Sequence, residues 1–477
     1  MAAQSTSTMF DVTAVAMGCA LIAFLFNRYA AESYMDEIFH VPQTAKYCQG
    51  KLTEWDPKIT TFPGLYMLGA PYGMAVHSLQ RLLQPLSWQA ACSTTVLRSL
   101  NVLLAAAFFG VFAALYGKLH PYKQPEFATL MALVALLMPT HFFYAFIYYT
   151  DVGSVTFVLA SYLASLQGRH HLSALLAVLA VSFRQTNAVW VAFILGAAVV
   201  RWAAGGGDAM SGAEKKEAVL KFERAPPGRQ LLHVMHMAWL HKWRLLRELW
   251  SLALVPTAFA VFVVVNGGIV VGDRGNHTPV LHIMQLPYLL LFAAGVLAPV
   301  HFNFNRLNEA SRQLRGYLRR DAGKALRLWA SLALLTGYAA HDFTLAHPFL
   351  LADNRHYTFY IWKDFLAVHP AAKFTLVPAY LYCAWSVWWS LLQGRQPLIW
   401  IMGLATACGL TLIPAWLVDF RYFTVPFMML LLHMKPPTVT QATLTVAIYA
   451  LVNTAAIYVF LFRPFVWPDG SIARFMY

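Results

Sequence analysis

The sequence predicts an all-α protein that crosses a membrane many times. Of its 477 residues, 59% are hydrophobic and only 12% are Asp, Glu, Lys or Arg, which is about half the charged share of a soluble protein. So few charges cannot cover a water-soluble surface, and apolar runs of span length recur along the whole chain. The net charge of +14 is concentrated in a few loops. The composition therefore excludes a disordered scaffold, a disulfide-rich secreted module and a nucleic-acid-binding protein.

Hydropathy divides the chain into a series of apolar helices. Between residues 172 and 201 the string FRQTN separates two short apolar halves, which predicts two short helices or a re-entrant pair. No basic residue precedes the first run, so a retained helix is predicted there and not a cleaved signal peptide. The total is about 12 to 14 transmembrane helices. Windows of about 19 residues place the other helices near residues 11–27, 99–117, 127–147, 152–167, 249–268, 280–299, 326–342, 368–392, 398–414, 422–434 and 440–462.

Two basic loops predict the orientation. Residues 201–248 hold nine Lys and Arg, and residues 304–327 hold seven. The positive-inside rule makes both loops cytoplasmic. Counting spans outward places the loops at 28–98 and 343–367 on the opposite face. Those loops mix acids, bases, His and aromatic residues, so we expect the active site on that face. The sequence shows no inverted repeat of the transporter type.

The long first loop, residues 28–98, begins with two acids. Asp36 and Glu37 stand at the exit of the first helix, and His40 follows them in YMDEIFH. A lone carboxylate there is usually a solvated helix end, but the pairing of two acids with His40 favours a functional site. The strings VPQTAKYCQGKL and PYGMAVHSLQRLLQ predict short interfacial helices, and WDPKITTFPGLYM between them predicts an ordered turn.

The cysteines leave one question open. Cys48 and Cys92 lie in this loop, and they either form a disulfide in an oxidising compartment or remain two thiols. Cys19, Cys383 and Cys408 lie in apolar runs and are expected to be packing residues. No Cys or His spacing indicates a metal site, and no cofactor is predicted.

Two further polar positions interrupt apolar segments. Asp151 in IYYTDVGS is either a helix N-cap or a site residue. Arg184 in FRQTN lies between two apolar halves, where an arginine requires a carboxylate partner or an anionic ligand.

The loop at 343–367 contains the densest cluster, HPFLLADNRHYTFYIWKD. Arg supplies forked donors suited to phosphate, His and Lys add charge, and aromatic rings stack on sugars. A shorter cluster, VDFRYF, places Asp419 and Arg421 at another helix end. Together these groups suit a reaction in which a sugar leaves a phosphate, with a carboxylate as general base. No Gly-rich phosphate loop is present, so a lipid phosphate donor is favoured over a soluble nucleotide.

The strings YMDEIFHVPQTAKYCQGKLTEWDPKITTFPGLY, YYTDVGS, FRQTN, LLADNRHYTFYIW and DFRYF occur in this order. In this the chain resembles the Alg10/DIE2-like family of dolichyl-phosphate-glucose-dependent alpha-1,2-glucosyltransferases. The resemblance implies one transmembrane domain of GT-C type over residues 1–477, in the endoplasmic reticulum membrane with its site facing the lumen. It also implies an inverting transfer of glucose from dolichyl-phosphate-glucose to a dolichyl-diphosphate oligosaccharide, the last step of N-glycan precursor assembly, without a metal or cofactor.

The resemblance also implies roles for individual residues. Asp36 matches the family's acid and is the expected base, with Glu37 second. Binding of the donor phosphate or acceptor diphosphate is expected from Arg355, His356, Lys363, Arg184, Arg421 and His40. Sugar binding is expected from Asp151, Trp55, Asp353 and Tyr357.

Two alternatives remain open. Another lumenal GT-C transferase would share the acid and the topology, and a lipid or solute transporter would also contain buried charges. Membrane lipids are expected neighbours, whereas the oligomeric state and the use of the sequon at Asn276 are not predicted.

Overall fold

The computed structural model describes residues 2–81, 91–205 and 212–477. The side chain of Asn276 lies outside the described part, as does most of the Gly-rich string GGGDAMSG. Nearly all regular structure in the described residues is helical, as the composition predicts. The elements are α1 (Ala2–Tyr29), α2 (Glu37–Cys48), α3 (Gly64–Arg81), α4 (Thr94–Leu119), α5 (Pro125–Leu136), α6 (Pro139–Phe143), α7 (Thr150–Leu166), α8 (His170–Phe183), α9 (Asn187–Ala204), α10 (Gly212–Arg224), α11 (Pro227–Leu240), α12 (Lys242–Asn266), α13 (Gln285–Val296), α14 (Ala298–His301), α15 (Phe304–Arg320), α16 (Ala322–Asp342), α17 (Pro348–Ala352), α18 (Tyr357–Ile361), α19 (Ala372–Thr375), α20 (Val377–Gln393), α21 (Leu398–Leu412), α22 (Thr424–His433), α23 (Val439–Phe462), β1 (Phe465–Val466) and β2 (Ile472–Ala473).

The chain forms two compact units, and the single transmembrane domain implied by the family resemblance stays a prediction. Unit one contains residues 1–277 and 397–407, and unit two contains residues 278–396 and 408–477. Hydropathy marks which segments avoid water, but it does not say which of them pack together, and that choice depends on side-chain fit.

In unit one, α4 packs against α1, α5 and α7, and α7 packs along α8. Every residue from 138 to 156 is buried. Part of this stretch is not helical, so its backbone carbonyls need partners. The Asn101 amide of α4 donates to the carbonyls of Ile147 and Tyr149 at 2.6 and 3.0 Å. Asn101 thereby fixes the chain that leads into Asp151.

Several predicted spans are shorter or bent. Five described helices are long and apolar enough to cross a membrane, or six if one bent pair counts as one span. In that pair, Pro125–Leu136 and Pro139–Phe146 meet at 75°, because Pro139 cannot continue the preceding helix. Four further apolar helices have only 12 to 17 residues. The predicted total of 12 to 14 spans therefore stays a prediction.

The finer sequence predictions for unit one agree better with the structure. The FRQTN string does separate two helices, since α8 ends at Phe183 and α9 begins at Asn187. Two helices, α2 and α3, occupy the first loop, and residues 49–63 between them are not helical. The described residues of the first loop are therefore ordered.

In unit two, α20 packs against α13 and α16, and α14 packs against α23. The helix α15 is attached by polar contacts. Arg306 donates to the Ser390 hydroxyl at 2.7 Å, and Trp389 donates to Glu309 at 2.6 Å. After α23, strands β1 and β2 form an antiparallel hairpin in which Phe465 pairs with Ala473.

A disulfide joins Cys48 at the end of α2 to Cys92 before α4, 44 positions further along the sequence. The sequence left this pairing open. Cys19, Cys383 and Cys408 are buried free thiols, as predicted for packing residues. The disulfide ties the end of α2 to the segment that leads into α4.

We expect Cys48→Ser to lower the thermal stability of the purified protein. A cross-link over a loop of this length is worth about 4 kcal/mol in the chain-entropy model. The measurement is a melting curve in detergent with and without a reductant. The control is the double variant Cys48→Ser/Cys92→Ser, which reductant should leave unchanged, and a reductant-insensitive wild type would contradict the prediction.

Candidate active site

The first polar cluster lies in unit one, at the start of α2. Met35 has a φ of 55°, a left-handed conformation that non-glycine residues seldom adopt and that is often found at functional sites. The following residues, Asp36 and Glu37, have different environments: Asp36 is half-buried, whereas Glu37 is fully buried. The tight turn at Met35 therefore precedes two neighbouring acids in contrasting surroundings.

Glu37 makes a complete set of interactions with its surroundings. Its two carboxylate oxygens accept from the Arg98 guanidinium at 2.8 and 2.6 Å. The backbone amides of Tyr34 and Tyr148 donate to the same carboxylate at 2.9 and 2.6 Å. Both side chains of the ion pair are 0% exposed. This bidentate ion pair is fully shielded from solvent, which suits a structural anchor. A general base must be accessible to substrate, and the buried Glu37 is not.

Arg98 is a residue that the sequence interpretation did not single out. Its remaining donors bind the carbonyls of Ala30 and Glu32 at 2.7 and 3.0 Å. It thus joins the end of α1, the start of α2 and the start of α4. The available signal was a lone arginine just before the apolar run of α4, which requires a partner on energetic grounds.

Asp36 lies among aromatic and histidine side chains. The Tyr149 hydroxyl accepts from the Asp36 backbone amide at 2.7 Å. The Asp36 charge also acts on the Tyr66 hydroxyl, which is hydrogen-bonded to Nδ1 of His40 at 2.7 Å. His40 is itself buried, so the structure places it in the Asp36 cluster as a neighbour of Tyr66. Its burial leaves it poorly suited to the phosphate-binding role expected from the sequence.

Trp55 joins this cluster through its ring. The Trp55 and Tyr66 rings lie 5.6 Å apart, edge to face, a favourable aromatic arrangement. The Trp55 indole N–H donates to the Ile59 carbonyl at 3.3 Å. The half-buried ring is therefore held in place next to Tyr66.

Asp151 and Arg184 contact each other. A guanidinium nitrogen of Arg184 lies 3.1 Å from the Asp151 carboxylate, and another donates to the Thr150 hydroxyl at 3.3 Å. Asp151 is buried, whereas Arg184 keeps 19% of its side chain exposed. Arg184 thus has a carboxylate partner, one of the two options that the sequence left open. The two charges neutralise each other, and the pair joins α7 to the break between α8 and α9.

The second polar cluster lies in unit two. Arg355 binds Asp353 with two parallel hydrogen bonds of 2.8 and 2.7 Å, and Nε2 of His356 lies 3.5 Å from the same carboxylate. Burial raises the pKa of Asp353, but the hydrogen bonds from Arg355 and the charges of His356 and Arg355 hold it below its usual range. Asp353 is therefore an anion that orients Arg355 and lies beside His356, which fits it less well to sugar binding.

Asp419 and Arg421 repeat this arrangement. The guanidinium contacts the Asp419 carboxylate at 2.8 and 2.6 Å. Burial raises the pKa of Asp419, but the charge and hydrogen bonds of Arg421, together with the charge of His356, hold it below its usual range. The charge of His356 acts on both carboxylates, so the DNRHY and DFRYF strings lie near each other in unit two. Lys363 lies apart from these pairs, exposed and with its ammonium 5.7 Å from the Phe359 ring.

Residues 475–477 also belong to this cluster. No sequence motif predicted that these residues would contact the DNRHY string. Nδ1 of His356 donates to the Tyr477 carbonyl at 2.8 Å, and the Met476 amide donates to the Arg355 carbonyl at 2.9 Å. The Tyr357 ring packs against the rings of Phe475 and Tyr477 at 4.6 and 5.4 Å. Tyr357 is thus engaged in packing.

Trp467, in the turn between β1 and β2, also contacts the DNRHY string. Its indole N–H donates to the Asn354 side chain at 3.0 Å, and the Arg355 guanidinium lies 4.7 Å from its ring centroid. Such a cation–π contact contributes about 0.5–2 kcal/mol. The hairpin after α23 therefore orients the middle of the DNRHY string.

In the described residues, no group of three or more His, Cys, Asp or Glu side chains could hold a metal ion. The apolar helices and the two polar clusters, one in each unit, define a multi-span membrane protein with an acid-bearing first loop. The chain belongs to the DIE2/ALG10 family, whose model matches residues 30–432. The resemblance drawn from the sequence motifs is thereby confirmed.

Relatives of similar length come from plants and animals. A protein of Arabidopsis thaliana is 36% identical over 96% of this chain and 97% of its own length. Proteins of Rattus norvegicus and Homo sapiens are 35% and 34% identical, each over 97% of this chain and 96% of their own lengths. All three are named Dol-P-Glc:Glc(2)Man(9)GlcNAc(2)-PP-Dol alpha-1,2-glucosyltransferase. No solved structure matches the chain.

Proposed function

We propose that this protein transfers glucose from dolichyl-phosphate-glucose to the Glc(2)Man(9)GlcNAc(2) oligosaccharide on dolichyl diphosphate and forms an alpha-1,2 linkage. The names of the family relatives support this activity. The structural observation that carries it is the contrast between two adjacent acids, since Glu37 is committed to Arg98 while Asp36 remains half-buried.

Asp36 is the general base in this proposal. Its carboxylate takes the proton from the acceptor hydroxyl while that oxygen attacks the anomeric carbon of glucose. The bond from this carbon to the phosphate oxygen breaks, and dolichyl phosphate leaves. A single displacement inverts the beta-linked donor to an alpha-linked product without a covalent intermediate. Glu37, expected as the second choice of base, is assigned a structural role because both of its oxygens are occupied.

The cations of unit two are assigned to phosphate. Arg355 and Arg421 are oriented by Asp353 and Asp419, and His356 lies 3.5 Å from Asp353, so their remaining N–H donors are held in place for an anion. Lys363 is exposed and adds a further positive charge. We assign Arg184 and His40 to positioning, because the first is paired with Asp151 and the second is buried beside Tyr66.

Sugar binding is assigned most directly to Trp55, which offers an aromatic ring next to the Asp36 cluster. Asp151, Asp353 and Tyr357 were expected in this role from the sequence. Their contacts with Arg184, Arg355 and the C-terminal rings support positioning roles for them.

The finer architecture is also proposed. A GT-C type fold with 12 to 14 spans, a location in the endoplasmic reticulum membrane and a lumenal site follow from the family resemblance. The Cys48–Cys92 disulfide supports an oxidising compartment for the loop at 28–98. The basic stretches at 201–248 and 304–327 support a cytoplasmic position on the other face.

We expect Trp467→Leu to weaken use of the donor lipid. This change removes the hydrogen bond to Asn354 and the ring beneath Arg355, together worth about 2 kcal/mol or about 30-fold in kcat/KM for dolichyl-phosphate-glucose. Trp467→Phe keeps a ring and should lose only about three- to fivefold. The matched control is Val466→Ala on the same hairpin, which is 67% exposed. Equal activity of the Leu and Phe variants would contradict this role for the tail.

The proposed activity is tested with purified protein and two donors. An acceptor that lacks only the last glucose is incubated with dolichyl-phosphate-glucose or dolichyl-phosphate-mannose, and the product linkage is determined. Transfer of glucose in alpha-1,2 linkage supports the proposal, and transfer of mannose alone would favour another GT-C transferase. Lipid movement across vesicles without any transfer would favour a transporter.

A further inference from the structure

An open cleft of about 660 Å³ lies in unit one, where the segment after α2 meets the segment after α12. Its lining is Trp55, Pro57 and Lys58 on one wall and Val271, Gly272 and Asp273 on the other. Ligand-binding clefts typically measure about 300–1,000 Å³. Trp55 belongs to the Asp36 cluster described above, whereas Lys58 and Asp273 do not, so the cleft extends that cluster toward residues 271–273.

The two walls of the cleft are held in place by backbone contacts. The Val271 amide donates to the Thr60 carbonyl at 3.5 Å, and the same carbonyl accepts from the Gln185 side chain at 2.7 Å. A Cβ atom at Gly272 would collide with the backbone oxygens of Pro57 and Ile59, so only glycine permits this approach. The cleft is therefore preorganised and attached to the FRQTN break.

The Trp55 wall is anchored to α2 in the same way. The Gln43 amide donates to the Glu54 carbonyl at 2.7 Å, and its oxygen accepts from the Asp56 amide at 3.0 Å. These two bonds fix the turn on either side of Trp55. The ring then contacts Tyr66, whose hydroxyl is hydrogen-bonded to Nδ1 of His40. A chain of contacts through Tyr66, His40 and Tyr149 thus joins the cleft to the backbone of the proposed base.

The chemistry of the lining fits a neutral carbohydrate. An aromatic ring stacks on the apolar face of a hexose, while a carboxylate and an ammonium hydrogen-bond its hydroxyls. The Asp273 carboxylate would repel a phosphate or diphosphate. The positive charge of Lys58 offsets only the negative charge of Asp273, so the lining has no net positive charge to attract an anion. The exposed Pro57 and Lys58 leave the cleft open enough for a large, water-soluble glycan.

We propose that this cleft binds the glucose-bearing arm of the acceptor oligosaccharide and directs its terminal hydroxyl toward Asp36. The proposal rests on the proposed function for the identity of the acceptor. Trp55 and Asp273 are then determinants of acceptor affinity. The cleft takes no part in holding the donor lipid.

The test compares Trp55→Ala, Trp55→Phe and Asp273→Asn in glucose-transfer kinetics. With saturating donor, Trp55→Ala should raise the acceptor KM about tenfold, as expected for the loss of one stacked ring. Trp55→Phe should restore most of this affinity, and Asp273→Asn should raise the acceptor KM about threefold. The donor KM should change less than twofold in all three variants, a split that general misfolding would not produce.

Trp243→Ala is the matched control, because Trp243 is 74% exposed on α12 and lies outside the cleft. An unchanged acceptor KM in Trp55→Ala and Asp273→Asn, or a rise in the donor KM, would overturn the proposal. If Trp55→Ala does not fold, Asp273→Asn decides alone.

A binding measurement separates the two proposals. Calorimetry of free Glc(2)Man(9)GlcNAc(2) with the wild type and with Asp273→Asn reports on the cleft without any transfer. Weaker binding by Asp273→Asn supports the cleft even if no glucose transfer is found, which would refute only the proposed function. Equal binding by both proteins would refute the cleft.

Discussion

Asp36→Asn should abolish glucose transfer while the protein keeps its fold. The amide has nearly the same shape as the carboxylate, but it cannot accept the proton of the acceptor hydroxyl. Loss of a general base lowers rates by about 100- to 10,000-fold. The Arg98 guanidinium is bound by Glu37 and the Asp36 side chain is only half-buried, so the melting temperature should stay close to that of the wild type. Rates of transfer in detergent and a melting curve give both readouts.

A pH profile strengthens this test. If Asp36 is the base, the acidic limb of the wild-type rate profile should be missing from the residual activity of Asp36→Asn. Donor and acceptor KM should change little, because the substitution acts on the transition state. Turnover near the wild-type rate would show that Asp36 is not the base. Another carboxylate of unit one would then have to take that role.

Glu37→Gln should have the opposite outcome, with a large loss of stability. The substitution leaves the Arg98 guanidinium buried without its counter-charge, in a pair that is 0% exposed on both sides. Breaking one partner of a buried ion pair costs about 3–5 kcal/mol. The expected result is a lower melting temperature and a poor yield of monodisperse protein in size-exclusion chromatography.

Two variants control for the removal of charge itself. Glu54→Gln breaks only an exposed pair with Lys51, whose side chains are 49% and 52% exposed, and should change stability by less than about 1 kcal/mol. The double variant Glu37→Gln/Arg98→Gln should be less destabilised than the sum of its single changes, because neither charge is left alone. A wild-type melting temperature for Glu37→Gln would refute the anchor.

The contrast between Asp36 and Glu37 shows how far a linear motif can be interpreted. Both are acids at the exit of the first helix, and sequence alone ranked them without separating their environments. The separation depends on Arg98, which is 61 positions away from Glu37 in sequence. In the same way, Arg184 required a partner on energetic grounds, but only the packing of α7 against α8 identified Asp151 as that partner.

The sequence by itself determined the class of protein, the helical architecture, the polar break at FRQTN and the family, because hydropathy and motif strings are local properties. The tertiary structure decided the disulfide, the division into two units, the Glu37–Arg98 anchor and the joining of the chain end to the DNRHY string. Each of these is a contact between distant segments. Its stability depends on burial and on geometry, which become defined only once the chain has folded.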